Sequence, residues 1–477
     1  MVEKQRNVKA LSFLESALAV EGLHSLKNFR KWYQDKLRSY VYKVEQKPLE
    51  KLNKWNIDKA TGNISHESGK FFQVIGIDVE TNFGGKSNWQ QPIINQPEIG
   101  ILGFVAKNIE GVLHFLVQAK MEPGNVNLLQ ISPTVQATRS NYTAVHEGKK
   151  PLYLEYFLDP TKASILIDQL QSEQGARYLA KRNRNIIVEV EEDELNEPHP
   201  DFYWLSLGQI SCLLQENNLI NMDARTVLSS VPFDNDFIEA DKYCKEQKIK
   251  GFYADIFHSY FAQHKEEVNS FDKLLSWFTH LKIHNELRTK IIALNSVKDW
   301  QHKDGVIKHA QDKFFKILGV AVKADREVAS WDQPLIESAK GGVICFICQK
   351  KRNVLHFLVQ ARVEPGNFDI LEMAPTVQFT HSNYQDSTMT LPKFADLVIN
   401  AKPNQVKFDT LQSEEGGRFY HDQNRYMVIE IDEGKHLDLP DNFIWMSLRQ
   451  MKEFIRFNNY LNIEARGLLA CLGLRGA

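Results

Sequence analysis

The chain is short of the features that mark the commoner protein classes. Its 477 residues hold five cysteines, Cys212, Cys244, Cys345, Cys348 and Cys471, an odd and scattered set that suits a reducing compartment better than a disulfide framework. Charge of neither sign predominates: 58 Lys and Arg against 60 Asp and Glu leave a net charge of −2, so the overall field draws in neither nucleic acid nor an acidic membrane. No apolar run approaches the ~18–20 residues of a membrane span. The opening MVEKQRNVKALSFLESALAVEG carries Glu15 and Glu21 and lacks a small-residue cleavage pattern, so it reads as a helix and not a signal peptide. Cytoplasmic residence is the expectation. A nucleotide-phosphate glycine fingerprint, a P-loop, HExxH and a nucleophile elbow are all missing, which removes several large enzyme classes. With 43% hydrophobic and 25% charged residues, the chain is an ordinary globular sequence able to bury a core.

What is present is a repeat. LHFLVQAKMEPGN (Leu113 to Asn125) returns as LHFLVQARVEPGN (Leu355 to Asn367), PTVQATRSNY (Pro133 to Tyr142) as PTVQFTHSNY (Pro375 to Tyr384), and LQSEQGAR (Leu170 to Arg177) as LQSEEGGR (Leu411 to Arg418). The copies lie roughly 240 residues apart, far beyond solenoid or propeller periods, so each is expected to be a complete domain. The division is placed at 1–232 and 233–477, with the joint in SSVPFDND (Ser229 to Asp236).

Leu11 to Trp55 is helical by pattern, and Phe257 to Trp300 supplies the matching lead-in, with Trp32 and Trp55 answering to Trp277 and Trp300. FFQVIGIDVET, GILGFVAK, VLHFLVQAK and NIIVEV, with their counterparts, read as strands, and Glu110-Gly111 and Arg352-Asn353 as hairpin turns. A helix starting near SLGQ or SLRQ closes each copy. The expected class is α+β, a mixed β-sheet with a helical lead-in, used twice. The CxxC formed by Cys345 and Cys348 falls in the apolar run GGVICFICQKK without a second pair, so core cysteines are expected there and not a zinc or redox site.

Three polar blocks survive in both copies. E-P-G-N (Glu122 to Asn125, Glu364 to Asn367) suits a type II turn more than ligand contact. T-x-S-N-Y (Thr138 to Tyr142, Thr380 to Tyr384) gathers hydroxyls and an amide that can donate and accept, as a sugar requires, although a polar loop would look similar. LQSE-x-G-x-R suits either a backbone approach to a ligand, with Arg177 or Arg418 meeting phosphate, or a structural Arg-Glu pair. The departures matter too: Arg139 becomes His381, Gln174 becomes Glu415 and Ala176 becomes Gly417. The second copy thus gains an imidazole and a carboxylate able to move protons, and reads as the more catalytic half.

Taken together, the ordered blocks, twice in a chain of this length and each preceded by tryptophans, closely resemble the NDP-hexose 2,3-dehydratase family. The resemblance implies tandem Nudix-like domains without the hydrolytic box, a homodimer, and a reaction using neither metal nor organic cofactor. It implies dTDP-4-keto-6-deoxy-glucose as substrate and a separate 3-ketoreductase downstream. Carried over, it implies nucleotide-sugar contacts at Trp55, Thr138, Arg139, Ser140, Asn141, Tyr142, Trp300, Met373, Ala374, Pro375, Gln378, Gly416 and Gly417. The repeated blocks add Glu173, Arg177, Ser382, Asn383 and Arg418. Proton transfer is assigned to His381, Tyr384, Glu414 and Glu415 without dividing acid from base. The competing readings are a nucleotide-sugar binding protein without catalysis and a Nudix-type hydrolase.

Overall fold

The computed structural model describes residues 12–84, 87–138, 150–233, 245, 249–325, 328–385 and 389–474. The first copy forms β1 (Tyr42–Lys47), β2 (Trp55–Ile57), β3 (Ile64–His66), β4 (Gln73–Thr81), β5 (Asn88–Asn95), β6 (Gly100–Ile109), β7 (Val112–Met121), β8 (Leu129–Ser132), β9 (Val135–Ala137), β10 (Ser164–Ser172), β11 (Arg182–Val190) and β12 (Phe202–Ser206). The second forms β13 (Leu287–Ile292), β14 (Trp300–Lys303), β15 (Val306–His309), β16 (Phe315–Ala324), β17 (Ser330–Ser338), β18 (Gly342–Lys351), β19 (Val354–Arg362), β20 (Glu372–Pro375), β21 (Val377–Thr380), β22 (Val406–Ser413), β23 (Gln423–Glu430) and β24 (Phe443–Ser447). The class is α+β, with two seven-stranded mixed sheets and two five-stranded antiparallel ones.

The seven-stranded sheets are equivalent. One runs β10-β11-β6-β7-β12 and the other β22-β23-β18-β19-β24, with β11 parallel to β6 and β23 parallel to β18. Both faces are covered at the centre of each, which is why β6, β7, β18 and β19 are largely apolar. Leu102, Phe104 and Ala106 of β6 face a core shared by both copies, while Ile101 and Val105 face an outer cluster. The same alternation sends Cys348 into the shared core and Cys345 to the opposite face, since positions three apart on a strand point apart. Burial raises both thiols. The expected turns are hairpins: Glu110 and Gly111, then Arg352 and Asn353, all have positive φ, as a two-residue type I′ turn demands.

The lead-in departs from expectation. The helix Leu26–Ser39 ends well before Trp55, and β1 and β2 follow it; in the second copy β13 and β14 follow the helix Phe271–His284. Their partners are distant in sequence. β1 pairs antiparallel with β16 of the second copy and β13 with β4 of the first, so each copy gives its lead-in strand to the other's five-stranded sheet. The closing helix is likewise two short helices, Leu207–Leu213 and Met222–Leu228, repeated as Leu448–Phe454 and Ile463–Cys471. Capping boxes Ser206/Gln209 and Ser447/Gln450 start the first of each pair, and left-handed Asn218 and Asn459 turn the chain into the second.

The E-P-G-N turns lock the copies together. The Gly124 amide donates to the Gly416 carbonyl (2.8 Å) and its carbonyl accepts from His421 N; Gly366 does the same with Gly175 and Ala180. A β-carbon on Gly124 would stand 1.6 Å from the Phe419 carbonyl oxygen, and one on Gly366 1.7 Å from that of Tyr178. Glycine is required because two backbones touch there.

Candidate active site

Each LQSExGxR loop leaves the end of a strand, β10 or β22, and is held by the opposite copy. Arg225 is wholly buried and donates to the carbonyls of Ile220 (2.7 Å) and Ser413 (2.6 Å) and to Gln412 Oε1 (3.2 Å). Arg466 reciprocates, reaching the carbonyls of Leu461 (2.5 Å) and Ser172 and the Thr226 hydroxyl (3.0 Å). Two related polar clusters result, each with a wall from one copy's sheet and a loop from the other.

The pocket against the first copy's sheet opens into a cavity of ≈ 110 Å³. Lys120, Glu122, Gln136, Lys181, Asn183 and Asp223 come from the first copy, and Glu415, Gly417 and Arg418 from the second. Gln136 Nε2 donates to Glu122 Oε1 (2.8 Å), Asn183 Nδ2 to Glu173 Oε1 (2.6 Å), and the Tyr178 hydroxyl to Glu415 Oε2. The Lys120 ammonium reaches the Gln136 carbonyl only at 3.5 Å. Gly417 admits this crowding, since a β-carbon there would meet the carboxylates of Glu415 and Glu122 at 3.2 and 3.4 Å.

Dense burial of charge disturbs proton affinities. Burial, then the Glu415 charge, pushes Glu173 up to about 7. Burial likewise raises Glu122, and it raises Asp223 well above the usual carboxylate range, helped by Glu415, Glu173 and Glu122. Lys181 is lowered by burial, and Tyr178 is raised by burial and by Glu415. Such a pocket holds carboxyls near the proton-transfer range beside cations and hydrogen-bond donors, which suits acid-base work on a polar substrate.

The other cluster has different chemistry. Gln174 stands where Glu415 stands, Phe419 where Tyr178 does, and Asp422 where Lys181 does. Arg362 is drawn onto Glu364 (Nε to Oε1, 3.0 Å). Gln174 Nε2 and Asn424 Nδ2 both donate to Glu414, at 2.6 and 2.5 Å. Glu414 and Glu415, neighbours in sequence, therefore serve opposite clusters. The carboxylate gained by the second copy works against the sheet of the first, because the loops are exchanged.

The remaining expected site residues are distributed as follows. Thr138 lines the cavity, while Arg139, Ser140, Asn141 and Tyr142 lie outside the described residues. Arg418 joins the cavity from the second copy, its guanidinium 4.3 Å from the Phe72 ring centre; Arg177 takes the related position over Phe315, also at 4.3 Å. Gly416 is committed to the interlock with Gly124. Trp55 is buried against Phe72 and donates from Nε1 to the Asp332 carbonyl (2.7 Å), and half-buried Trp300 packs on Phe315. Met373, Ala374 and Pro375 lie on buried β20. Gln378 bonds Asn462 (3.0 Å) and Glu364 (3.3 Å) in the second cluster. His381 is exposed, Tyr384 packs on Phe379, the Ser382 hydroxyl donates to the Lys340 carbonyl (2.7 Å) and Asn383 accepts from Phe314 N (2.9 Å). His381 and Tyr384 are not among the residues lining the cavity that holds Glu415.

Reading by blocks overlooked Lys120, Gln136, Tyr178, Lys181, Asn183 and Asp223. A signal existed for the last: Asn-x-acid-Ala-Arg occurs at Asn221 to Arg225 and again at Asn462 to Arg466. Lys181 and Tyr178 change identity between copies, so looking for what both copies keep passes over them.

A family model described as NDP-hexose 2,3-dehydratase matches residues 26–231 and again 271–472. The chain is 44% identical over 463 residues to the dTDP-4-dehydro-6-deoxy-alpha-D-glucopyranose 2,3-dehydratase of Saccharopolyspora spinosa, covering 96% of this chain and 94% of that one. It is 41% identical to the protein of that name from Amycolatopsis orientalis (97% and 93% covered) and 41% identical to that from Streptomyces violaceoruber (93% and 96%). Both copies match the same model and the likeness runs nearly end to end, so the chain belongs to the NDP-hexose 2,3-dehydratase family.

Proposed function

We propose that this enzyme removes water across carbons 2 and 3 of dTDP-4-keto-6-deoxy-glucose, giving a dTDP-3,4-diketo-2,6-dideoxy sugar. The observation that carries the reading to particular atoms is the Glu415–Tyr178 pair. It stands at the cavity, with open space and three cations beside it, and is replaced by Gln174 and Phe419 in the equivalent cluster.

The chemistry follows from the substrate. A ketone at carbon 4 makes the carbon 3 hydrogen acidic, so a placed carboxylate can take it, leaving an enolate that expels the carbon 2 hydroxyl. Glu415 is the base in this reading, oriented by the Tyr178 hydroxyl. Lys120, Lys181 and Arg418 oppose the charge that grows on the carbon 4 oxygen and on the diphosphate. Glu414, bonded to Gln174 and Asn424, braces the second cluster, and the T-x-S-N-Y segments supply contacts to the nucleotide sugar. The enol product tautomerises to a reactive diketone, which a 3-ketoreductase would consume. Two Nudix-like units divided at 232/233, a homodimeric assembly and cytoplasmic residence belong to the same reading, supported by the family resemblance and by the two equivalent sheets. Among the described residues, no helix is long and apolar enough to cross a membrane.

The test is incubation with dTDP-4-keto-6-deoxy-glucose in deuterated water with a trapping 3-ketoreductase. A 2-deoxy sugar is expected, and recovered substrate should carry deuterium at carbon 3. Tight binding with neither outcome would favour a catalytically silent nucleotide-sugar binder, and release of nucleoside monophosphate would favour a hydrolase.

A further inference from the structure

Elimination needs an acid as well as a base, and the pocket contains one carboxyl that the structure leaves unengaged. Glu415 is held by Tyr178, Glu173 by Asn183 and Glu122 by Gln136. Asp223 lines the same cavity, 3% exposed, and its carboxyl takes neither a hydrogen bond nor an ion pair among the described residues. It is nonetheless fixed in place. Asn221, two residues before it, donates to Gln136 Oε1 of the sheet wall (3.1 Å), and Arg225, two residues after it, grips Ser413 at the root of the loop carrying Glu415. Asp223 is thus clamped between the wall and the loop that meet across the cavity. The charged groups around it are Glu415, Glu122, Lys120, Lys181 and Arg418 of the same cavity, with Glu173 beside them; Glu415, Glu173 and Glu122 act on it most strongly. Burial acts on it first, and the nearby acids act more strongly than the cations of the lining, so the carboxyl is favoured in its protonated form.

We propose that Asp223 is the acid that delivers a proton to the hydroxyl departing from carbon 2. Glu415 first takes the carbon 3 proton, and that C–H pair becomes the C3–C4 double bond of the enolate. The carbon 4 carbonyl then re-forms, the pair moves to C2–C3, the C2–O bond breaks, and the leaving oxygen takes the Asp223 proton and departs as water. Glu415 ends protonated and Asp223 ionised, so one proton passed between them through the cavity restores the enzyme. No further reactant is needed.

This inference rests on the dehydratase reading, and deuterium exchange separates the two. In deuterated water the wild-type enzyme should both exchange the carbon 3 hydrogen and form product; if it does neither, the underlying reading fails. Asp223→Asn should lower product formation at least ~100-fold with KM little changed, while recovered substrate still gains carbon 3 deuterium within tenfold of the wild-type rate. Asp223→Glu should fold, because Glu464 occupies the equivalent position in the second copy. It should keep at least a tenth of product formation and displace the basic limb of the pH–rate profile. Product within tenfold of wild type in Asp223→Asn would overturn the proposal. So would loss of exchange together with product in a variant that still binds dTDP, or an unmoved basic limb in Asp223→Glu.

Discussion

Glu415→Gln separates chemistry from architecture because the molecule already contains its outcome. The substitution makes the second loop read Gln-Ser-Glu-Gln-Gly, the sequence of the first loop at Gln171 to Gly175, so the loop it creates is one this fold accommodates. Two effects on stability oppose each other. The Tyr178 hydroxyl would donate to a neutral amide oxygen and not to a carboxylate, a loss of about 1 kcal/mol by the difference between hydrogen bonds to charged and neutral partners. Against that, Glu173, Asp223 and Glu122 all feel the Glu415 charge, and its removal relieves their crowding. The net change should stay within about 1 kcal/mol, or roughly 2–4 °C in melting temperature for units of this size. The effect on catalysis should be far larger. Losing a general base costs ~10²–10⁴ in rate, about 3–5 kcal/mol on the barrier. Carbon 3 exchange in deuterated water should fall with kcat, and KM should change less than a few fold. A variant retaining more than a tenth of wild-type kcat would refute the assignment of the base. A melting temperature lowered by more than ~10 °C would show that the side chain holds the fold, contrary to the argument.

Arg225→Met tests how the loop is held: it strands the buried carbonyls of Ile220 and Ser413 and should destabilise by about 3–5 kcal/mol, seen as a melting temperature lower by roughly 6–20 °C. A drop below ~3 °C would show that the bridge carries little. Glu372 is buried beside Arg466 and accepts from the Ser172 hydroxyl (2.9 Å), and burial pushes it up from 4.5 to about 7. An acid raised on folding contributes stability that is complete below pH 4.5 and lost as pH rises through 7, on the order of 3 kcal/mol at 1.36 kcal/mol per pH unit. The melting temperature of the wild type minus that of Glu372→Gln should therefore fall between pH 4.5 and 7.5; a flat difference would contradict it.

Much was legible from local chemistry. The duplication, the apolar β6, β7, β18 and β19, the hairpin turns at Glu110-Gly111 and Arg352-Asn353, and the burial of Cys345 and Cys348 all follow from side-chain periodicity, turn preferences and repeated wording. The family followed too, because its blocks occur in order and twice. What escaped was everything that depends on a partner hundreds of residues away. The polar alternation of YKVEQK becomes a strand only because β16 lies beside it, and the E-P-G-N glycines are demanded by a backbone in the other copy. Tertiary structure alone decided that Glu414 and Glu415 would part, that Glu415 would meet Tyr178, and that Asp223 would share a cavity with Glu415. Adjacent residues in a loop project in different directions, and the copy that receives each side chain is fixed by the exchange of elements across the shared core, a long-range packing outcome that no local pattern encodes.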